Sequence, residues 1–210
     1  MIALVDYGAG NLTSVRKALR SIGAEFMTPD APERCATVAG LIVPGVGNFA
    51  ATQALVGPWR DAIRSAVDGG IPLLGICVGM QWLFEGSEEA PDVPGLGVLP
   101  GRVRRLRGNA AERMKIPHVG WNALDIRPSR LLAGLERGSH VYFTHSYAAP
   151  DGDGTVARTT HGVTFASVVE SDAARGRVFG TQFHPEKSGA SGVEMLRRFV
   201  QVAREANVRC

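Results

Sequence analysis

The chain has 210 residues, of which 45% are hydrophobic and 20% are charged, and its formal net charge is +3 at pH 7. Its 26 glycines and 12 prolines fall short of the share typical of low-complexity or collagen-like chains, so both classes are excluded. The longest apolar run, Gly70–Met80, is much shorter than the roughly 20 residues that cross a bilayer, and we predict no membrane partner.

The first half of the chain alternates strand-like and helix-like segments. Ile2–Asp6 is a short apolar run, and leucine, valine and isoleucine then recur at helical spacing up to Gly23. The following segments are predicted as strands at Glu25–Thr28, Gly40–Val43 and Ile71–Ile76, and as a helix at Pro58–Asp68. Because these strands are apolar without polar alternation, they are typical of a parallel sheet covered by helices on both faces.

The second half consists mainly of strand-like runs and predicts a mixed or antiparallel extension of that sheet. The runs are Gly101–Leu106, Gly120–Ile126, His140–Phe143, Thr155–Thr159, Phe165–Glu170 and Arg177–Gln182. A last helix is predicted from about Ala190, where apolar residues again recur at helical spacing. Since no linker or repeat interrupts the chain, we predict one α/β domain over residues 1–210, with a largely parallel central sheet flanked by helices.

A basic cluster lies at Arg102, Arg104, Arg105 and Arg107. A solvated strand edge is the more common interpretation of such a run, and attraction for phosphate or an acidic protein face is the alternative. No nucleic-acid motif accompanies the cluster, and we predict no nucleic-acid partner.

The cysteines and histidines indicate neither disulfides nor metal. Cys35, Cys77 and Cys210 are odd in number and contain no Cys-x-x-Cys pair, and the histidines other than His184 lack metal-ligand spacing. We therefore predict no metal and no other cofactor. The first residues show no export signal, so we expect a cytoplasmic protein.

Cys77 lies in Gly75-Ile76-Cys77-Val78-Gly79, between a predicted strand and a predicted helix at Met80–Phe84. The pattern Gly-x-nucleophile-x-Gly is typical of a sharp strand-to-helix turn, where the glycines let neighbouring backbone approach. A sulfur there lies at a helix N-terminus, which favours the thiolate. The pentapeptide alone fits a small buried cysteine equally well.

His184 and Glu186 are candidates for a general base and the carboxylate that orients it. His184 ends a predicted apolar strand, Pro185 turns the chain, and Glu186 projects to the same side in an extended backbone. One imidazole can take the proton of a thiol and return it to a leaving amine. Alone, His-Pro-Glu is more often a loop histidine beside a solvated acid; together with Cys77 it predicts a Cys–His–Glu triad at strand ends.

The glycine loop Pro44-Gly45-Val46-Gly47 follows the third predicted strand. Such a loop can present a backbone N–H to an oxyanion, and Val78, next to the cysteine, would supply a second donor. A phosphate-binding loop is disfavoured, because the glycines do not complete Gly-x-Gly-x-x-Gly and no Walker lysine follows.

These motifs together resemble the class I (triad) glutamine amidotransferases; they span residues 44–47, 75–81 and 182–188. Residues 6–11, 115–122 and 142–147 resemble one subfamily, the glutaminase subunits of imidazole glycerol phosphate synthase, which serve histidine biosynthesis. The resemblance implies that Cys77 attacks the carboxamide of L-glutamine and that His184, oriented by Glu186, protonates the departing ammonia. A γ-glutamyl thioester would then be hydrolysed to glutamate.

The same resemblance implies ligand and partner contacts. The glutamine would be held by Gly47, Gln81, His145, Ser146 and Tyr147. The partner would be a (β/α)8-barrel cyclase, in a heterodimer that receives the ammonia. The interface would include Asn11, Trp121, Tyr142 and Lys187.

Two stretches, Pro150–Gly154 and Glu170–Arg177, look longer than in the family and are interpreted as surface hairpins. Three other functions stay open: a glutaminase for another synthase, a catalytically silent interaction subunit, and a single-chain cysteine hydrolase acting on another amide or ester. Because free glutamine hydrolysis is wasteful, we expect an oxyanion donor in Gly45–Gly47 that is misaligned until the cyclase binds.

Overall fold

A computed structural model describes residues 1–108, 114–171 and 177–207. Its strands are β1 (Ile2–Leu4), β2 (Phe26–Met27), β3 (Gly40–Gly45), β4 (Leu73–Cys77), β5 (Gly86–Ser87), β6 (Ala90–Pro94), β7 (Arg102–Arg105), β8 (His118–Ala123), β9 (Asp125–Ile126), β10 (His140–His145), β11 (Tyr147–Ala148), β12 (Thr155–His161), β13 (Val163–Ser171) and β14 (Val178–Thr181). The helices are α1 (Leu12–Ser21), α2 (Pro58–Asp68), α3 (Val78–Trp82) and α4 (Gly189–Asn207). Short 3₁₀ helices cover Pro32–Thr37, Phe49–Leu55 and Pro185–Lys187.

An eight-stranded sheet in the order β2-β1-β3-β4-β14-β13-β12-β9 forms the centre of the fold. Five neighbouring strands of this sheet run parallel to one another, namely β2, β1, β3, β4 and β14. Beyond β14 the sheet continues with β13, β12 and β9, each antiparallel to the strand before it. Every residue of β3 and β4 is buried, which explains why these strands show no polar alternation. The predicted α/β fold with a largely parallel sheet and an antiparallel extension is confirmed.

Two smaller sheets take up strands that the sequence analysis placed in the extension. β8 and β10 pair with each other, and β11-β7-β5-β6 form a four-stranded sheet. β5 and β6 were not predicted, because β5 has two residues and β6 begins and ends beside prolines and is mostly exposed. The interpretation of the basic cluster as a strand edge is wrong, because β7 is paired on both sides, by β11 and β5; its three arginines are nevertheless exposed to solvent, as predicted.

Two of the helices begin at the local signals in the sequence, and a third begins earlier than predicted. The side chain of Asn11 accepts a hydrogen bond from the Ser14 N–H at the start of α1, and α2 begins at Pro58. α3 begins at Val78, two residues before the predicted Met80, because the turn at Cys77 leads directly into it. No helix in the described ranges is long and apolar enough to span a membrane.

The sequence analysis also singled out two connecting stretches and two further cysteines. Pro150–Gly154 forms an exposed turn that leads into β12, rather than a separate hairpin. Most of Glu170–Arg177, namely residues 172–176, lies outside the described residues, as does Cys210. Cys35 is fully buried, and burial, with the nearby Glu33 charge, raises the pKa of its thiol to about 11.

Candidate active site

Cys77 occupies a strained turn at the carboxyl end of β4. Its backbone has φ 54° and ψ −109°, and α3 begins at the next residue. Among the residues that the structure describes, it is the single non-glycine residue with positive φ. This conformation is costly for a residue with a β-carbon, and such strain is concentrated at functional sites.

The glycines around Cys77 are required by close backbone contacts. A β-carbon on Gly79 would overlap the carbonyl oxygen of Val43, and one on Gly75 would lie 2.5 Å from the carbonyl oxygen of Gly79. Gly45 pairs with Cys77 across the sheet, and its β-carbon would lie 2.7 Å from that of Val78. The turn is therefore possible only where β3, β4 and α3 meet without side chains.

His184 and Glu186 form a buried pair after β14. The Nδ1 of His184 lies 2.9 Å from the Oε1 of Glu186, and the side chains are 1% and 2% exposed. The carboxylate accepts the Nδ1–H, which fixes the orientation of the ring. The sequence analysis predicted these two side chains on one side of the chain, and the structure brings them together.

Hydrogen bonds join the main chain at His184 to β10. Its N–H donates to the carbonyl oxygen of Tyr142 at 3.0 Å. Ser188 Oγ donates to the His184 carbonyl at 2.6 Å and accepts the Tyr142 N–H at 3.0 Å. These bonds fix the position of the imidazole relative to the β8–β10 pair.

The charge state of His184 depends on Cys77 and Glu186. Burial opposes a charged ring, but the hydrogen bonds and charges of Cys77 and Glu186 outweigh it and raise the pKa of His184 to about 10. Glu186 occupies Nδ1, so the interaction with the Cys77 sulfur falls to Nε2, which is buried and has no other hydrogen-bond partner within the described residues. At neutral pH the ring therefore carries the proton that a departing amine needs.

Two glutamines connect Cys77 to Tyr147. Gln81 Nε2 donates to the Tyr147 carbonyl at 2.9 Å and to Gln182 Oε1 at 3.2 Å, and Gln182 Nε2 lies 3.8 Å from the sulfur of Cys77. Gln81 Oε1 is buried without a hydrogen-bond partner in the described part of the chain, so it is an acceptor available to a ligand. Gln182 was missed by the sequence analysis, although a polar residue after an apolar strand was the available signal.

Tyr7 is a second residue that the sequence analysis did not assign to the site. A β-carbon on Gly45 would overlap its hydroxyl, which is buried and unpaired within the described residues. Burial and then the charge of Cys77 raise the pKa of Tyr7. The phenol therefore belongs to the immediate surroundings of the sulfur.

The glycine loop does not present all its donors to Cys77. The N–H of Val46 donates to the carbonyl oxygen of Ala9 at 2.8 Å, and Gly47 is exposed with φ +88°. The Ser146 carbonyl accepts the Leu106 N–H at 2.9 Å, whereas the next carbonyl, that of Tyr147, accepts from Gln81. Cys77 is 3% exposed, so it is almost completely buried.

The residues expected at a partner interface lie together, with one exception. The Trp121 and Tyr142 rings are edge-to-face with centroids 6.1 Å apart, and Lys187 Nζ lies 6.0 Å from the Tyr142 ring centre. Trp121 is 56% exposed, which is unusual for so large an apolar side chain. The exception is Asn11, whose side chain caps α1 by accepting a hydrogen bond from the Ser14 N–H.

The model of the family described as glutamine amidotransferase class-I matches residues 3–202. The chain belongs to this family. It is 49% identical over 210 residues to the imidazole glycerol phosphate synthase subunit HisH of Geobacillus kaustophilus (strain HTA426), which covers 97% of both chains. It is 44% identical over 207 residues to the subunit of that name from Methanothermobacter thermautotrophicus, covering 97% of this chain and 100% of the relative.

Solved structures agree with the class I amidotransferase fold. A crystal structure of a glutamine amidotransferase superposes with a TM-score of 0.74 at 23% identity, covering 97% of this chain and 100% of the other. The structure of PurLQS from Thermotoga maritima gives a TM-score of 0.72 at 19% identity, covering 95% and 97%. Family membership confirms the predicted glutamine amidotransferase activity.

Replacing Glu186 by glutamine is expected to lower the pKa of His184, because one of the two groups that raise it loses its charge. Glutamine hydrolysis should fall by about 100-fold, at the lower end of what acid–base catalysis contributes, because the ring stays but its protonated form loses the charged partner that stabilises it. Ring ¹⁵N shifts followed against pH measure the pKa, and glutamate release measures the rate.

The sign of the effect on stability provides a control for Glu186→Gln. Since the folded pKa of about 10 exceeds the ordinary 6.5, protonation of His184 stabilises the fold fully below about pH 6.5, and this contribution is lost as the pH rises through 10. The stability advantage of the wild type over the variant should therefore narrow toward pH 10. An unchanged His184 titration would contradict the assignment of Glu186.

Proposed function

We propose that this chain is the glutaminase subunit of an imidazole glycerol phosphate synthase and that it supplies ammonia from L-glutamine to a cyclase in histidine biosynthesis. Relatives bearing the name of that synthase are 44–49% identical over nearly the full length of both chains, which favours it over the glutaminase of another synthase. The observation that carries the catalytic part is the strained Cys77 turn beside the buried His184–Glu186 pair. A silent subunit would not need this strain.

The reaction follows from the groups at the turn. The sulfur of Cys77 bonds to the carbonyl carbon of the glutamine carboxamide, and His184 Nε2 transfers a proton to the nitrogen as the C–N bond breaks. Ammonia leaves and a γ-glutamyl thioester remains. Water then attacks the thioester, His184 takes a proton from it, and the C–S bond breaks, which releases glutamate and leaves the Cys77 thiolate beside the protonated ring.

The substrate pocket is formed by the loop, α3 and the segment after β10. Through its unpaired Oε1, Gln81 accepts a hydrogen bond from the side chain of the bound glutamine or from a group next to that side chain. The N–H of Val78 and one N–H of Gly45, Val46 or Gly47 stabilise the oxyanion. Tyr147, with His145 and Ser146 before it, closes the side of the pocket opposite the loop, as its contact with Gln81 supports.

The partner is a (β/α)8-barrel cyclase bound as a heterodimer in the cytoplasm. Its binding surface includes Trp121, Tyr142 and Lys187, and Asn11 at the start of α1. The Val46–Ala9 hydrogen bond supports an oxyanion loop that is not ready in the free subunit, because that donor is already engaged. Docking of the cyclase and its ligand is what reorients the loop.

Titration with the cyclase subunit tests this function. Glutamate release by the wild-type chain should be slow alone and rise to a plateau as cyclase and its nucleotide ligand are added. Trp121→Ala should shift the midpoint of that titration to higher cyclase concentration by about 30-fold, the value of a 2 kcal/mol interface residue. The plateau itself should be preserved, because Trp121 does not touch the sulfur.

Val163→Ala is the matched control, since Val163 is an exposed apolar side chain on β13, in a different sheet. Its titration should coincide with the wild type. Glutamate release that is equally fast without cyclase would refute the gating by the partner, and no release under any condition would refute the glutaminase.

A further inference from the structure

Two buried histidines, His118 and His145, exchange no proton and form no bond in the reaction proposed above, although His145 belongs to the segment beside the pocket. They are 3% and 7% exposed and face each other across the β8–β10 pair. His118 stacks on Phe143 and His161, with ring centroids 4.6 and 4.1 Å apart. A buried imidazole needs partners for both nitrogens, so the hydrogen bonds of these rings indicate what they hold.

The two rings form a chain of hydrogen bonds that starts on β8. Asn122 Nδ2 lies 3.3 Å from His118 Nε2, and His118 Nδ1 lies 3.0 Å from His145 Nε2. His145 Nδ1 lies 2.9 Å from the carbonyl oxygen of Tyr147. Every nitrogen of both rings is thereby occupied.

The acceptor at the end of the chain fixes the position of each ring hydrogen. A carbonyl oxygen can only accept, so His145 carries its hydrogen on Nδ1, and its Nε2 must accept when the ring is neutral. His118 then carries its hydrogen on Nδ1 as well, and its Nε2 accepts from the Asn122 amide. The orientation of that amide is fixed, since its Oδ1 accepts the Ala123 N–H and its Nδ2 also donates to Thr160.

Both rings are neutral over the physiological range. Burial, reinforced by His161, lowers the pKa of His118 to about 4. Burial also lowers the pKa of His145 to about 3, against the bond to Tyr147 and together with the charges of His118, His161 and His184. While both rings are neutral, each hydrogen bond between them and their neighbours has a fixed donor and a fixed acceptor.

The chain continues from Tyr147 to the nucleophile. The same carbonyl that accepts from His145 accepts from Gln81, which bonds to Gln182, whose amide lies 3.8 Å from the Cys77 sulfur. The Tyr147 carbonyl thus accepts one hydrogen bond from His145 and another from Gln81. A displacement of His145 would move an acceptor that sets the position of Gln81.

We propose that His118 and His145 are positioning residues for the glutaminase reaction, each in the Nδ1–H form, that hold the Tyr147 carbonyl against Gln81. The proposal rests on the proposed function, because it places Gln81 in the glutamine pocket. It also connects β8, which carries the exposed Trp121, with the residues beside the sulfur.

Two substitutions of His118 separate hydrogen bonding from packing. His118→Asn keeps an N–H donor near the position of Nδ1 but loses the stacked ring, and His118→Phe keeps the ring but loses the donor. In the complex with the cyclase, kcat/KM for glutamine should stay within about 3-fold of wild type for the asparagine variant and fall about 10-fold or more for the phenylalanine variant. If His118 acted only through packing, the asparagine variant would instead be the less active of the two. The melting temperature should be lower for the asparagine variant than for the phenylalanine variant, because only the phenylalanine variant keeps the stacked ring.

Ammonia-dependent turnover by the same complexes is the control and should be equal in all three. Long-range ¹H–¹⁵N spectra of the wild-type rings should show hydrogen on Nδ1 of both His118 and His145. An Nε2–H ring at either position, or a phenylalanine variant at least as active as the asparagine variant, would overturn the proposal. Failure of the proposed function is distinguishable, because the wild-type complex would then release no glutamate while the ring spectra stayed informative.

Discussion

Cys77→Ala is expected to abolish glutamine hydrolysis, with a fall in kcat of about 10⁴- to 10⁶-fold, because removing a nucleophile eliminates the covalent route. The ammonia-dependent reaction of the cyclase complex should continue at the wild-type rate, since ammonia supplied from solution bypasses the thioester. Glutamate release and cyclase turnover, measured on the same preparation, provide both readouts. The substitution also removes the sulfur whose charge acts on His184 and Tyr7, so the pKa of each should fall.

Cys35→Ala is the matched control for the nucleophile. Cys35 is buried to the same degree but lies in a 3₁₀ helix, and burial keeps its thiol protonated. This variant should lose some stability through the small cavity that it leaves and keep full glutaminase activity. Retained glutamine hydrolysis in Cys77→Ala, or its loss in Cys35→Ala, would show that the nucleophile has been assigned to the wrong residue.

Gly79→Ala is expected to lower the free energy of unfolding by about 3 kcal/mol or more, at the upper end of overpacking effects. Its β-carbon would overlap the carbonyl oxygen of Val43, and neither β3 nor α3 can retreat without breaking the sheet or the Cys77 turn. Urea unfolding followed by circular dichroism measures the loss. Glutaminase activity should fall together with stability, because the same contact sets the position of the sulfur.

Gly152→Ala is the comparison for that substitution. Gly152 lies in the exposed turn before β12, without a positive φ, and a β-carbon there would meet no described atom within 4 Å. Its unfolding midpoint should match the wild type. Equal stability of the Gly79→Ala and Gly152→Ala proteins would refute the close contact between β3 and α3.

The elements that could be predicted from the sequence are those whose signals are local. The helix Pro58–Asp68 has the predicted bounds, because a proline begins it and a glycine follows it. The strand before Cys77 was predicted from its unbroken apolar run, and the Gly-x-Cys-x-Gly spacing predicted the turn itself. By contrast, β5 has only two residues and β6 is mostly exposed, and neither carries a periodic signal.

What the sequence could not supply are contacts set by strand register. Pairing of β8 with β10 brings His118 opposite His145, although 27 residues separate them in the chain. Gln182 reaches the sulfur of Cys77 across a separation of 105 residues because β14 lies beside β4. Tyr7 comes near the same sulfur from the connection after β1, and its segment was used only for its resemblance. In each case the sequence shows which residue is present but does not indicate which residue it contacts.

The bonds that join His184 and Ser188 to Tyr142 have a consequence for how the reaction is switched on. They make the imidazole part of a rigid frame whose outer edge is the surface expected to receive the cyclase. The wall across the sulfur, the glycine loop, is held at Val46 by the bond to Ala9 and carries few side chains. The activation proposed above would therefore require rotation of a few peptide groups in that loop while His184 and Glu186 keep their positions, and the change would be confined to one short stretch of backbone.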